Sequence, residues 1–301
     1  MTLHLSGIHH VSALSADIAK NHDFYTRILG LRLVKKTVNQ ESATMYHLFY
    51  ADGAGSPGTD MTFFDFPHAT HERRGYNAVN LTTFRVTGQT VLTVWQERLR
   101  SLGVAVSRRE IEGRDHLFFE DGDRTRLALF DDGGMGPRGV PNPNTDIPSE
   151  YQLQGLGYSS YAVAHLAPTR EFLERGLNMR EVRQYAHGDF STYVFAMGTG
   201  GPHAELHFTE RSDLSRQRPG AGGVHHIALR VKDVAELQAW LAHLAQTGYR
   251  NSGQIDRHFF QSVYIREPNG LVIELATEGP GFAINEMPIT CLLYTSDAAD
   301  E

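Results

Sequence analysis

The sequence predicts an α+β fold built from four copies of one β-α-β-β-β module. The first observation is a repeated opening, in which a strand with two adjacent histidines, at 9–10 and again at 225–226, leads into a helix. The second is its spacing, because an aspartate suited to cap the helix follows the second histidine by seven residues in both copies. The third is a pair of weaker copies of the same pattern between them.

The first module begins with a strand over residues 8–14 and a helix that Asp17 can cap. Apolar residues then recur at helical spacing until Gly30, a residue type that commonly ends a helix. Three strand-like stretches complete the module, at residues 31–38, 45–50 and 61–66.

The fourth module repeats this order. Asp233 can cap its helix, with Glu236 at the capping-box position, and Gly248 marks the end of the helix. Strands are expected around Arg257 and at residues 263–266 and 271–276.

The two middle modules have no histidine pair in their first strand. Asn80 or its neighbours stand at that position in one copy and Tyr158 in the other, so we expect these modules to be scaffold rather than metal sites. The predicted modules cover residues 5–68, 76–132, 154–210 and 222–278, with a linker rich in Gly, Pro, Asn and Asp at 133–153 and a C-terminal segment at 279–290.

Composition excludes several classes of protein. A hydrophobic content of 41%, with 21% charged residues, is typical of a globular protein with a sizeable core. The net charge of −7 argues against nucleic acid or an anionic membrane as partner. No apolar run approaches the roughly 20 residues of a membrane span, and the first residues do not read as a signal peptide. We therefore expect a cytoplasmic protein.

The last eleven residues, 291–301, are treated separately. They resemble the translation of a sequencing-library adapter, and we leave them out of the expected fold. They contain Cys291, the only cysteine of the chain, so we expect no disulfide chemistry in the remaining residues.

Glu274 is the most informative single residue. It stands in the apolar strand Leu-Val-Ile-Glu-Leu-Ala, where a carboxylate is costly unless it is paired or bound to a metal. The two histidine pairs offer such partners, and we expect them to form one metal site with Glu274. Because neighbours on a strand point to opposite faces, only one imidazole of each pair should face that site. The histidines of residues 203–207 lack a matching partner, and Asp115-His116 is interpreted as a turn.

The repeated module resembles that of the vicinal-oxygen-chelate superfamily, which includes glyoxalases, extradiol dioxygenases and antibiotic-resistance binding proteins. Residues 30–39, 45–48, 224–228 and 279–283 look like those of its hydroquinone-type ring-cleaving dioxygenases. The resemblance implies two halves of two modules each, every half an open mixed or antiparallel sheet around a cavity with flanking helices. The first and fourth modules should pair around the metal, and the middle modules should pair in a metal-free half.

The resemblance also assigns site residues. The metal ligands would be His10, His226 and Glu274, a facial triad suited to Fe(II), with Mn(II) as the second choice. The residues implied to support catalysis around them are His9, His225, Arg257, Tyr264 and Ser12. By spacing alone, Arg257 would equally suit a structural ion pair, and Tyr264 a place in the core.

The number of protein ligands separates two functions. A glyoxalase site of this superfamily normally has a fourth ligand, and alignment of the last strands places Phe64 there, with Asp65 facing away. We therefore expect a non-haem Fe(II) extradiol-type dioxygenase that opens hydroquinone-type or catecholic rings with O₂. The alternatives are a metal-dependent glyoxalase-like isomerase or lyase and a non-catalytic binder of aromatic or quinone compounds. A homo-oligomer is left open.

Overall fold

Residues 3–39 and 42–285 of the 301-residue chain are described in a computed structural model. Their elements follow the order strand, helix and three strands four times. The first group is β1 (Ile8–Ser15), α1 (Ile18–Asp23), β2 (Arg32–Asn39), β3 (Ser42–Ala51) and β4 (Asp60–Asp65). The second is β5 (Ala78–Val86), α2 (Gln89–Ser101), β6 (Ser107–Ile111), β7 (Arg114–Glu120) and β8 (Arg126–Asp131).

The other two groups have the same composition. The third is β9 (Leu156–Val163), α3 (Leu166–Glu171), β10 (Arg180–His187), β11 (Phe190–Ala196) and β12 (Glu205–Glu210). The fourth is β13 (Val224–Val231), α4 (Val234–Thr247), β14 (Ile255–Asp256), β15 (Phe260–Arg266) and β16 (Val272–Pro280). Short π-helical turns extend α1 and α3, at Phe24–Ile28 and Phe172–Gly176, and 3-10 turns lie at Ser149–Tyr151 and Phe282–Asn285.

The strands form two eight-stranded sheets that join groups distant in sequence. One sheet has the order β14-β15-β16-β13-β1-β4-β3-β2 and so combines the first and fourth groups. The other has the order β10-β11-β12-β9-β5-β8-β7-β6 and combines the second and third. In each sheet the two halves meet through one antiparallel pair, β1 with β13 or β5 with β9. The predicted α+β fold of paired modules is confirmed.

The helix-capping predictions are also confirmed. Asp17 and Asp233 each accept a hydrogen bond from the backbone N–H three residues later, at 3.1 and 2.9 Å. Gly248 ends α4 in the left-handed region, at φ 81°, which a residue without a Cβ adopts most easily. Glu236 differs from the expected box, because its carboxylate accepts from the N–H of Lys232 rather than from that of Asp233.

One hydrophobic core runs through both sheets and the helices. Buried Trp95 on α2 and Trp240 on α4 cover the outer faces of the two sheets. Polar contacts also join the halves: Ser15 donates to Asp123 at 2.6 Å and Tyr25 donates to Asp121 at 3.0 Å. The core and these bonds fix the first sheet, which carries the candidate site, against the second.

The structure differs from the sequence-based expectation at β7. Interpreting Asp115-His116 as a turn was wrong, because both residues lie in β7; the turn comes just before, where Glu112 and Gly113 both have positive φ. Cys291 and the adapter-like tail lie outside the described residues. Among the described residues, no helix is both long enough and apolar enough to cross a membrane.

Candidate metal centre

Three side chains from three strands of the first sheet converge on one point. Nε2 of His226 lies 2.9 Å from Oε2 of Glu274, and Nε2 of His10 lies 3.3 Å from the same oxygen. One ligand atom from each of the three residues lies within 4.8 Å of the other two, and all three side chains are buried. The site therefore joins β1 to β13 and β16, which lie more than 200 residues further along the chain.

The carboxylate of Glu274 has a hydrogen bond at one oxygen and none at the other. Oε1 accepts a hydrogen bond from the hydroxyl of Ser262. Oε2 is buried and has no hydrogen bond among the described residues, and its near neighbours are the Nε2 atoms of the two imidazoles. A buried oxygen without a partner is costly. A cation bound between Oε2 and the two Nε2 atoms would satisfy all three, so the residues fit a divalent metal of the type that imidazole and carboxylate ligands bind.

The first histidine of each pair orients the second. Nδ1 of His9 lies 2.9 Å from Nδ1 of His10, and Nδ1 of His225 lies 2.8 Å from Nδ1 of His226. In each contact one ring donates and the other accepts, which leaves Nε2 of His10 and of His226 directed at Glu274. Contacts of this kind fix the orientation of metal-binding imidazoles.

Register shifts in the sheet explain how adjacent imidazoles can meet. Between β1 and β13, Ile8 is paired with Leu229 and His10 with Ala228, so His9 is an extra residue in β1. A second shift, where Ser12 is paired with His226 and Ala13 with Val224, makes His225 an extra residue in β13. Such bulges disturb strict alternation. The expectation that one imidazole per pair faces the site was therefore wrong for the second pair, because His225 and His226 both line the cavity.

Charge in this buried cluster favours an ionised Glu274. Burial alone would raise the pKa of Glu274, but the neighbouring His10 and His226 hold it well below its ordinary value. Burial also acts to lower the pKa of His10, and the Glu274 carboxylate outweighs it and raises that pKa. For His226, burial has the larger effect and lowers the pKa. An ionised carboxylate beside a neutral imidazole is the form that binds a metal.

A cavity of about 550 Å³ opens over the triad on the face of the sheet. Its walls are largely aromatic, formed by Phe49, Phe64, Phe259 and Phe260. Phe64 lies beside the ligands, with its ring centroid 6.4 Å from that of His226, and it brings no metal-binding atom. Asp65 is not among the lining residues. Of the described residues, only the triad forms a group with metal-binding geometry.

Of the residues predicted to support catalysis, Ser12, Arg257 and Tyr264 line the cavity and His9 does not. Ser12 lines the cavity, where its hydroxyl lies 2.8 Å from that of Thr62. Arg257 and Tyr264 also line it: Nε of Arg257 donates to the hydroxyl of Tyr264 at 3.1 Å, and burial, with a contribution from Glu274, raises the pKa of that hydroxyl. His9 is buried behind His10 and is not among the lining residues.

His47 was missed by the sequence analysis. Its ring lies between Phe49 and Phe64, with centroids 4.0 and 4.2 Å away, and its Nε2 is 2.9 Å from the hydroxyl of Thr62. Burial, with contributions from His10 and His226, lowers the pKa of His47 well below its ordinary value. Alternation along β3 could have revealed it, because residues 45, 47 and 49 all line the cavity.

The paired-module fold and the buried two-histidine, one-carboxylate site define the class of protein. The chain belongs to the Glyoxalase/Bleomycin resistance protein/Dioxygenase superfamily, whose family model matches residues 7–129 and 155–275. The two matched ranges correspond to the two successive pairs of modules along the chain.

Several members of this superfamily are similar to the chain over most of its length. The chain is 43% identical, over 94% of its length and 90% of the relative's, to MhqA of Bacillus subtilis (strain 168), which is named provisionally as a ring-cleaving dioxygenase. It is 28% identical, over 94% and 88%, to chlorohydroquinone/hydroquinone 1,2-dioxygenase of Sphingobium indicum. A crystal structure from Bacillus subtilis subsp. subtilis str. 168, provisionally titled a dioxygenase, superposes with a TM-score of 0.87 at 29% identity, covering 95% of this chain and 89% of that one.

Proposed function

We propose that this protein is an Fe(II)-dependent dioxygenase that cleaves the ring of hydroquinone-type or catecholic diols with O₂. The observation that carries the proposal is the convergence of His10, His226 and Glu274 on one buried point, with Oε2 of Glu274 lacking a hydrogen bond among the described residues. The names of the relatives above support the same reaction class.

Two imidazoles and one carboxylate are the ligand set of non-haem Fe(II) oxygenases. When bound, Fe(II) supplies adjacent positions for a diol oxygen and for O₂ and a path for electrons between them. Phe64 stands where a glyoxalase site would have a fourth ligand, and among the described residues no further imidazole, thiol or carboxylate joins the triad in a metal-binding group. That feature favours the dioxygenase over a glyoxalase-like isomerase.

The cavity suits a small planar diol. Its aromatic walls can pack against a single ring and keep water away from it. At one side Arg257 and Tyr264 are hydrogen-bonded to each other, so the guanidinium can stabilise negative charge on a substrate oxygen while the tyrosine hydroxyl donates to it.

Proton transfer is assigned to His225. It lines the cavity, is exposed, and its Nδ1 contacts Nδ1 of the proposed ligand His226, so it stands between the cavity and that imidazole. Ser12 and His47, both hydrogen-bonded to Thr62, form a second polar edge that can orient the other hydroxyl of the diol.

Oxygen uptake tests the proposal. Protein loaded with Fe(II) under anaerobic conditions is offered hydroquinone, catechol and a methylglyoxal–thiol adduct in turn, and dissolved O₂ is recorded. We expect O₂ consumption matched to loss of one of the diols and none with the adduct. Turnover of the adduct without O₂ would instead assign an isomerase, and no turnover of any of them a binding protein.

A further inference from the structure

The second sheet corresponds to the first position by position. Both have the same strand order, and both show a one-residue shift in the central pair, where Asn80 is the extra residue of β5 as His9 is of β1. With this register, the three ligand positions of the first sheet correspond to Leu81, Tyr158 and His207.

These counterparts form no metal site. The hydroxyl of Tyr158 is 2.9 Å from Nε2 of His116, and its ring stacks on that of His207 at 3.9 Å between centroids. Nδ1 of His207 lies 3.1 Å from the hydroxyl of Tyr185, and its Nε2 lies 3.3 Å from a carboxylate oxygen of Glu205. The polar atoms of Tyr158 and His207 therefore have partners within the protein, and these positions offer no set of metal ligands.

The second sheet nevertheless has a larger cavity than the first. Its volume is about 1040 Å³, which is at the upper end of the usual range for small-molecule sites. Apolar and aromatic side chains from several strands line it, among them Leu81, Phe118, Leu127 and Phe190. Their surfaces favour a ligand with an apolar, flat body.

Arg126 is one of three arginines that line the cavity, which is also lined by the carboxylates Glu110, Glu112, Glu120 and Asp121. Its half-buried guanidinium lines the cavity, and Nη2 donates to Oδ1 of Asn80 at 2.8 Å. No carboxylate of the described residues forms a salt bridge with it. Burial lowers the pKa of Arg126, and the two acids that act against this, Glu72 and Glu120, are paired with Arg74. A desolvated guanidinium without a carboxylate partner is a preferred binding group for a carboxylate.

Two further arginines extend the flat surfaces of the cavity. The guanidinium of Arg109 stacks on Phe118 at 4.0 Å, and that of Arg211 stacks on Phe190 at 4.2 Å. Each pair presents a planar, polarisable surface at the cavity. An aromatic ring packs well against surfaces of this kind.

We propose that the cavity of the second sheet is a binding site for a small aromatic carboxylate, held by Arg126 and Asn80. The carboxylate accepts hydrogen bonds from the guanidinium and from the amide nitrogen of Asn80, and the ring lies against the aromatic side chains. The site requires neither the triad nor a metal, so it is independent of the proposed reaction.

The test is calorimetric titration of the full-length protein with 4-hydroxybenzoate, and with 4-hydroxybenzyl alcohol as the matched neutral probe. We expect one molecule of 4-hydroxybenzoate to bind per chain, and the alcohol to bind at least about tenfold more weakly. Arg126→Gln should weaken binding of the carboxylate by about tenfold or more. Arg100→Gln, which changes an exposed arginine of α2, should leave it unchanged.

Two more variants locate the site. Leu81→Trp fills the cavity without removing its charge and should also abolish binding, which decides the matter if Arg126→Gln does not fold. Glu274→Gln alters the metal centre and should leave binding intact. The proposal is overturned if 4-hydroxybenzoate does not bind, if folded Arg126→Gln or Leu81→Trp binds it like the unaltered protein, or if Glu274→Gln abolishes binding, since the probe would then occupy the first cavity.

Discussion

Each residue of the proposed metal site supplies a different group, so each substitution removes a different part of the site. His10 and His226 supply one nitrogen each, and Glu274 supplies the only negative charge. We expect His10→Ala, His226→Ala and Glu274→Ala each to abolish retention of Fe(II) and turnover, because two remaining ligands do not hold the ion.

Iron content after gel filtration and O₂ uptake measure the effect, and circular dichroism checks the fold. His4→Ala is the matched control, since His4 is exposed and lies outside the three strands that carry the triad. A triad variant that keeps stoichiometric iron and full turnover would remove that residue from the ligand set.

The cavity residues that are not ligands should affect rate without affecting iron. We expect His225→Ala and Tyr264→Phe to keep their Fe(II) and to lose about 10²–10⁴-fold in kcat, as is typical of lost acid–base assistance. In His225→Ala the limb of the pH–rate profile that reports an imidazole should shift or vanish.

Arg257→Lys should restore little of what is lost without Arg257, because lysine keeps the charge but not the planar fork that bonds to Tyr264. Tyr249→Phe, a tyrosine outside the cavity, serves as control. Wild-type turnover in the His225 and Tyr264 variants would leave the ligands in place and move the proton-transfer role to another group, with His47 the first candidate by position.

At the scale of single elements, the paired bulges are the least obvious feature. The two histidine pairs and the single carboxylate in an apolar strand predicted one shared site. The choice of the second histidine of each pair as ligand came from the family resemblance. The bulges at His9 and His225 were not predictable, because a bulge is defined by the register between β1 and β13, and those strands are more than 200 residues apart. The position of His47 in the cavity was not predicted for a related reason, since it depends on which face of β3 turns towards the triad.

The network at β12 allows a prediction about stability. Burial would raise the pKa of Glu205, but hydrogen bonds from Arg183 and His207 lower it to about 2. A folded-state pKa below the ordinary value means that the stabilisation is complete above about pH 4.5 and is lost as the pH falls towards 2.

Denaturant unfolding at pH 7 and at about pH 3 measures this loss. We expect the unaltered protein to lose about 1–3 kcal/mol more unfolding free energy over this interval than Glu205→Gln, which cannot titrate. Equal losses in the two proteins would show that Glu205 is not held by its neighbours in the way the contacts indicate. Glu210→Gln, an exposed acid on the same strand, is the control.

The whole molecule is a duplicated scaffold in which one half carries the candidate metal-binding triad. Both sheets share strand order and bulges, and only the first has two histidines and a carboxylate at the corresponding positions. The sequence predicted this division, because only the first and fourth modules contain histidine pairs. It did not predict the second cavity, because Asn80, Phe118 and Arg126 lie on different strands and line one cavity only in the folded sheet.

The central claim, that three residues from the two ends of the chain hold one iron, is tested most directly by anomalous diffraction at the iron edge. Crystals of protein loaded anaerobically with Fe(II) should show a single strong peak about 2.0–2.3 Å from Nε2 of His10, Nε2 of His226 and a carboxylate oxygen of Glu274. No peak at that point, or a peak bound by other side chains, would contradict the claim.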